Sequence, residues 1–160
     1  MEDFGEFYAA RKDVVLRALL LTIGHRATAE DAAAEAFARA YSRWSQVRTH
    51  PNPTAWVLRT ALNAQRSWWR RLRREIPGVA ADRSAAPAVG GLDPELRSAV
   101  ADLPERQRQV VALRLLADLS ADETGELLGI TAATVHVHLH RALGTLRQRL
   151  GAAQTAEVDS

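Results

Sequence analysis

The chain has no cysteine among its 160 residues, which excludes a disulfide framework and any thiolate metal site and fits a reducing compartment. It lacks the basic segment and apolar run of a signal peptide. Its longest apolar stretch, Val14 to Ile23, is broken by Arg17 and falls short of the ~20 residues a membrane-spanning helix needs. Nothing alternates apolar and polar residues as a half-buried strand does. No nucleophile and base, and no cluster of carboxylates, recur at a spacing that brings them to one face, so no enzyme chemistry is expected. The chain is therefore expected to be a soluble, intracellular, all-α protein with room for one domain or two small ones. The formal net charge is only +2, but the basic residues are nearly all arginine and unevenly placed. Their position matters more than their sum.

The most informative stretch runs from Ser120 to Leu150. Two helical patterns meet at Gly129-Ile130-Thr131. Ser120 and Glu123 have the spacing of a capping box, Gly129 suits the left-handed end of a helix, and Thr131 can cap the next one. In that second helix Val135, Leu139, Ala142, Leu143, Leu146 and Leu150 share one face. Thr134, Val137, Arg141 and Thr145 share the other. A tight pair of this kind is either an ordinary helical hairpin or a helix-turn-helix unit, whose second helix fits the DNA major groove. The second reading is favoured.

Earlier in the chain, Phe4, Phe7, Tyr8, Val15, Leu16, Leu19, Leu20 and Ile23 predict a first helix ending near Gly24. The Thr28–Asp31 spacing predicts a capping box and a second helix over about 29–44. Residues 45–52 read as a loop, after which Asn52 caps a third helix with Pro53 in its first turn. On that helix Val57, Ala61, Ala64, Trp68 and Leu72 fall on one side, with Trp68 expected in the core. Arg59, Asn63, Arg66, Arg70 and Arg73 fall on the other, with Trp56 at the edge and no acidic residue between Arg59 and Arg74. The stripe is either a solvated charged face or a nucleic-acid surface, and its composition favours the latter. Arginine takes phosphates, tryptophan stacks bases, and asparagine reads a base edge.

Residues 75–91 lose all periodicity to Pro, Gly, Ala and Ser, as a flexible linker does. Asp93-Pro94 then caps another helix, and Pro104 starts one running to about Ala117. With the helix-turn-helix pair these predict a C-terminal domain of four helices over 92–150, followed by a tail over 151–160. The expected architecture is two small helical domains, 1–74 and 92–150, joined by a linker, the second a winged-helix-like DNA-binding domain.

Both informative stretches, in this order, resemble the bacterial RNA polymerase sigma factors of the extracytoplasmic-function (ECF) type. The segment A-E-D-A-A-A-E-A-F-A-R-A-Y (29–41) is similar to that family's A-E-D-L-V-Q-E-A-F-x-R-A-W. N-P-T-A-W-V-L-R-T-A-L-N-A-Q-R-S-W-W-R-R (52–71) resembles its promoter-melting helix. L-P-E-R-Q-R-Q-V-V-A-L-R-L-L-A-D-L-S (103–120) resembles the start of its last domain. The resemblance implies a protein that binds core RNA polymerase and promoter DNA, with an anti-sigma factor as a partner it leaves open, and with no cofactor. It places Asp31, Glu35 and Phe37 in the polymerase-binding helix, with Phe37 open to a second reading as core. Trp56, Arg59, Asn63, Arg66, Arg70 and Arg71 fall in the −10 element reader. Thr134, His136, Val137, His138, His140 and Arg141 fall in the −35 reader.

The sequence departs from the family at two places. Ala32, Ala33 and Ala34 stand where it usually has Leu, Val and Gln. His136-Val137-His138 replaces a basic–Ser–basic run. Imidazole changes charge between about pH 5 and 8, so affinity for the −35 duplex is expected to rise as the pH falls. An affinity flat from about pH 6 to 8 at fixed salt would remove that expectation. His136 and His140 also have helical metal-ligand spacing, but the helix offers no third ligand and no metal is expected. Two rival readings remain: a helix-turn-helix regulator that acts without polymerase, and a degenerate sigma-like protein that serves only as an interaction partner.

Overall fold

The computed structural model describes residues 2–75 and 91–158, so the linker expected over 75–91 lies almost wholly outside the described residues. Among those residues all regular structure is helical. None of the helices is long and apolar enough to cross a membrane. The chain divides into two compact units, Met1–Pro87 and Ala88–Ser160.

The first unit contains α1 (Phe4–Ile23), α2 (Arg26–Ser42), the single turn α3 (Trp44–Val47) and α4 (Pro53–Glu75). α1 closes at Gly24, as the periodicity predicts, and opens on a capping box between Asp3 and Glu6 that the periodicity did not signal. α2 begins earlier than expected. Its cap is His25 rather than Thr28: the His25 Nδ1 accepts the Thr28 N–H at 3.3 Å and lies 2.9 Å from the Thr28 Oγ1. Histidine is not among the usual capping residues, so the sequence offered no signal there. α3 takes part of the stretch expected as loop. Asn52 caps α4 as predicted, its Oδ1 accepting the Ala55 N–H at 3.2 Å.

The core of this unit joins Val15, Leu19 and Leu20 of α1, Ala29, Ala36 and Ala40 of α2, and Val57, Leu58 and Ala61 of α4. Each large aliphatic side chain withdrawn from water here contributes about 1.5–3 kcal/mol. The alanine face of α2 lets its neighbours approach closely, because interaxial distance follows the size of the contact residues. An aromatic cluster closes the far end of α1: the Trp44 ring lies 5.0 Å from Phe7 and 5.6 Å from Phe4.

The second unit contains α5 (Pro94–Ala101), α6 (Glu105–Val111), α7 (Ala121–Leu128) and α8 (Ala132–Val158). α6 runs into a π-helical turn over Ala112–Leu116. The Asp93 Oδ1 caps α5 by accepting the Glu95 N–H at 2.9 Å. Pro104 flanks α6 as its cap rather than forming its first residue. The π turn closes with the Ala117 N–H on the Ala112 carbonyl at 3.0 Å. Asp118 then adopts φ 56°, which returns the Leu119 N–H to the Leu113 carbonyl at 3.0 Å and buries Leu119. α8 outruns its expected end at Leu150 and continues through residues expected as tail. No strand, and therefore no β-wing, accompanies the helix-turn-helix among the described residues. Every Phe, Tyr and Trp of the chain precedes residue 70. The second core is therefore wholly aliphatic, centred on Val110, Leu113, Leu119, Val135 and Ala142.

Candidate nucleic-acid interface

In the first unit the candidate surface is one face of α4. Arg59, Asn63, Arg66, Arg70 and Arg71 are exposed, and Trp56 is half-buried beside them. The opposite positions, Val57 and Ala61, are buried, so core packing fixes the rotation of the helix and turns the arginine stripe outward. The Arg73 and Trp69 side chains lie outside the described residues. No carboxylate stands between Arg59 and Arg74, so α4 itself brings only positive charge to this face. It can neutralise phosphates, while Asn63 and Trp56 offer an amide edge and a stacking surface.

Trp68 corrects the sequence reading. Expected in the core at the end of the Val57–Ala61–Ala64 series, it is 51% exposed. Ala64, Gln65 and Trp68 line one groove with Thr28, Asp31, Ala32 and Glu35, which places Trp68 level with the first turns of α2. From there α4 runs beyond the helix that covers it. A helical wheel gives the direction of a side chain but not how closely a neighbouring helix packs against it.

The three residues expected to face polymerase are split. Asp31 and Glu35 are exposed on α2, and Glu35 is ion-paired with Arg39. Phe37 is 5% exposed, its ring 6.2 Å from Phe7 and 5.0 Å from Tyr8. It belongs to the core reading and cannot itself touch a partner.

In the second unit the helix-turn-helix forms as its capping signals predict. The Ser120 Oγ accepts the Glu123 N–H at 3.0 Å, and the Ser120 N–H donates to the Glu123 carboxylate at 2.8 Å. Gly129 takes φ 70° in the left-handed region, and the Thr131 Oγ1 accepts the Thr134 N–H at 3.1 Å. The turn is close: a Cβ on Gly125 would lie 2.5 Å from the Ile130 carbonyl oxygen. Val135, Ala142 and Leu146 anchor α8 in the core. His136, Val137, His140, Arg141 and Thr145 are exposed on its outer side, and Thr134 is half-exposed at its start. His138 departs from this set. It is half-buried, with its Nδ1 enclosed and without a hydrogen-bond partner, so it flanks the reading face. Among the described residues no group of three or more His, Asp or Glu could hold a metal ion, around His136 and His140 or elsewhere.

One contributor was not legible. The Arg106 Nη1 donates to the Leu128 carbonyl at 3.2 Å and to the Gln109 Oε1 at 3.2 Å. It thus ties α6 to the last turn of α7, just ahead of the reading helix. The partners are 22 residues apart, and no local pattern announces such a contact.

Two separate outward faces, one rich in arginine and one at a helix-turn-helix, stand in the order in which two family signatures occur. Sigma-70 region 2 matches residues 7–75, and Sigma-70 region 4 matches residues 94–146. The RNA polymerase sigma-E factor of Streptomyces coelicolor is 32% identical over 152 residues, covering 92% of this chain and 86% of that one.

The chain belongs to the sigma-70 family.

It also resembles the ECF RNA polymerase sigma factor SigW of Bacillus subtilis, at 27% identity over 170 residues and covering 93% of this chain and 89% of that one. The fold resembles that of the sigma factor RpoE solved in complex with the anti-sigma factor NepR from Bartonella quintana. The TM-score is 0.68 at 24% identity, covering 94% of this chain and 98% of that one. Within the sigma-70 frame, region 2 spans α4 with its arginine face, and region 4 carries the helix-turn-helix with the exposed residues of α8. Both units therefore carry a sigma-70 signature.

Proposed function

We propose that this sigma-70 protein binds core RNA polymerase and directs it to promoters, with α4 capturing unpaired bases of the −10 element and α8 reading the −35 duplex. The observation that carries the reading is the pair of exposed helix faces to which the helix itself contributes no carboxylate, Arg59–Asn63–Arg66–Arg70 on α4 and Val137–His140–Arg141 on α8. Each lies within the matching sigma region. One face has the chemistry of a single-strand binder, arginine with an amide and an indole. The other has the geometry of a major-groove helix. Opening DNA by such contacts uses binding energy alone, so the protein acts without a catalytic step of its own, in the cytoplasm. Asp31 and Glu35 on α2 are the proposed polymerase contacts, and Phe37 supports them from beneath. An anti-sigma factor, such as holds the Bartonella protein, is included among the proposed partners.

Filter binding of genomic promoter-region DNA, with and without core polymerase, tests the division of labour. Weak binding by the protein alone and tight binding with core is the expected result. Tight duplex binding without core would favour a regulator that uses only the helix-turn-helix.

A further inference from the structure

The groove between α2 and the second half of α4 is unlike the arginine face around the helix from it. One wall is the exposed indole of Trp68, the floor is made by Ala32 and Ala64, and the rim carries Asp31 and Glu35. Asp31, Ala32 and Glu35 are spaced to share one face of α2, so the rim and floor are set by a single helix. Position 32 is one of those where the sequence has alanine in place of the leucine usual in related helices. The smaller side chain opens the floor beneath Trp68. Two carboxylates at the rim disfavour a phosphate backbone here, whatever the rest of α4 does. Glu35 already holds Arg39, while Asp31 is exposed at the groove's edge.

We propose that this groove is a slot for a basic side chain, arginine above lysine, presented by the polymerase subunit that docks on α2. The inference rests on the polymerase-binding reading of α2 and deepens it by bringing in Trp68 of α4. An aromatic wall takes the face of a guanidinium, a small apolar floor takes its aliphatic stem, and a carboxylate at the mouth takes its fork. A planar guanidinium satisfies wall and rim together, which a compact ammonium does not. Trp68 is therefore a positioning and contact residue for the protein partner, not a stacking platform for bases. A large exposed indole at the edge of a groove is also the kind of residue that concentrates binding energy at protein interfaces.

The test uses the full-length protein, purified core polymerase and two readouts: affinity for core, and binding of a single-stranded −10 oligonucleotide to holoenzyme assembled at saturating protein. Trp68→Ala is expected to lower core affinity about tenfold or more, with oligonucleotide binding at saturation unchanged. Trp68→Tyr keeps the aromatic wall and should stay within about threefold of the parent. Asp31→Asn should weaken core binding on its own, and combined with Trp68→Ala should add little, because both act on one side chain of the partner. Because Trp68 is exposed, thermal unfolding of the variants should match the parent, which separates lost contact from lost fold. Unchanged core affinity in Trp68→Ala would overturn the slot while leaving the polymerase reading intact. Lost oligonucleotide binding at saturation, with core affinity kept, would overturn it in favour of a nucleic-acid contact. If the parent itself does not bind core, both the slot and the reading beneath it fall.

Discussion

Adding one methyl group at Gly125 tests the geometry of the helix-turn-helix with an internal control. A Cβ at this position would stand 2.5 Å from the Ile130 carbonyl oxygen, where ordinary contact begins at 3.4 Å. The obstacle is backbone, so Gly125→Ala must push the turn by roughly 1 Å, a displacement that forced packing makes costly at about 1–3 kcal/mol. The same substitution gains about 1 kcal/mol of helix propensity. At Gly144, also inside a helix of this unit, an added Cβ meets nothing within 4 Å. Gly144→Ala therefore collects the propensity gain alone. The difference between the two variants cancels propensity and isolates the steric cost, about 1–3 kcal/mol. In a unit of this size that corresponds to a Tm separation of at least ~4 °C. Far-UV circular dichroism should show Gly144→Ala raising the unfolding temperature of the second unit, and Gly125→Ala falling below it by that margin. All four tryptophans lie in the first unit, so the tryptophan-fluorescence transition should not move in either variant. Equal shifts in both would refute the close approach of α7 to the turn.

Three further outcomes are expected. Replacing Arg66 and Arg70 together by Ala should shallow the salt dependence of open-complex formation. Two lost single-strand phosphate contacts lower the slope by about 1.4, so the affinity lost between about 50 and 200 mM salt shrinks about sevenfold; an unchanged slope would show a merely solvated stripe. Asn63→Ala should change preference at one base of the −10 strand by about 1–3 kcal/mol, read by competition among oligonucleotides differing at single positions. A uniform loss across all bases would instead assign Asn63 to the backbone. His25→Ala should cost about 0.5–2 kcal/mol in the first unit, seen in the fluorescence melt, and His25→Asp should restore most of it, since Asp caps helices well.

The helices and both faces were legible because they rest on local chemistry. Ser120, Glu123, Gly129 and Thr131 signal their roles within a turn of the chain, and the spacing of Val135, Ala142 and Leu146 leaves only one side of α8 for DNA. The places where sequence reading failed share a physical cause. Whether Trp68 is buried depends on how closely the first turns of α2 pack against α4, which no local pattern states, and the cap that starts α2, His25, carries no standard signal. The tie from Arg106 to the Leu128 carbonyl spans 22 residues, and the left-handed Asp118 after the π turn is set by the burial of Leu119 on its far side. Phe37 and His138 show the same limit from within a motif. Position in a family pattern names the helix, but the core decides whether the side chain is presented or withdrawn.

The central claim is that α4 and α8 read two promoter elements on behalf of core RNA polymerase. Run-off transcription with purified core, fragmented genomic template and sequencing of the transcript starts tests it most directly. The account predicts new starts that appear only when the protein is added, preceded by a shared pair of −35 and −10 sequences. The absence of any new transcript from any fragment would contradict it.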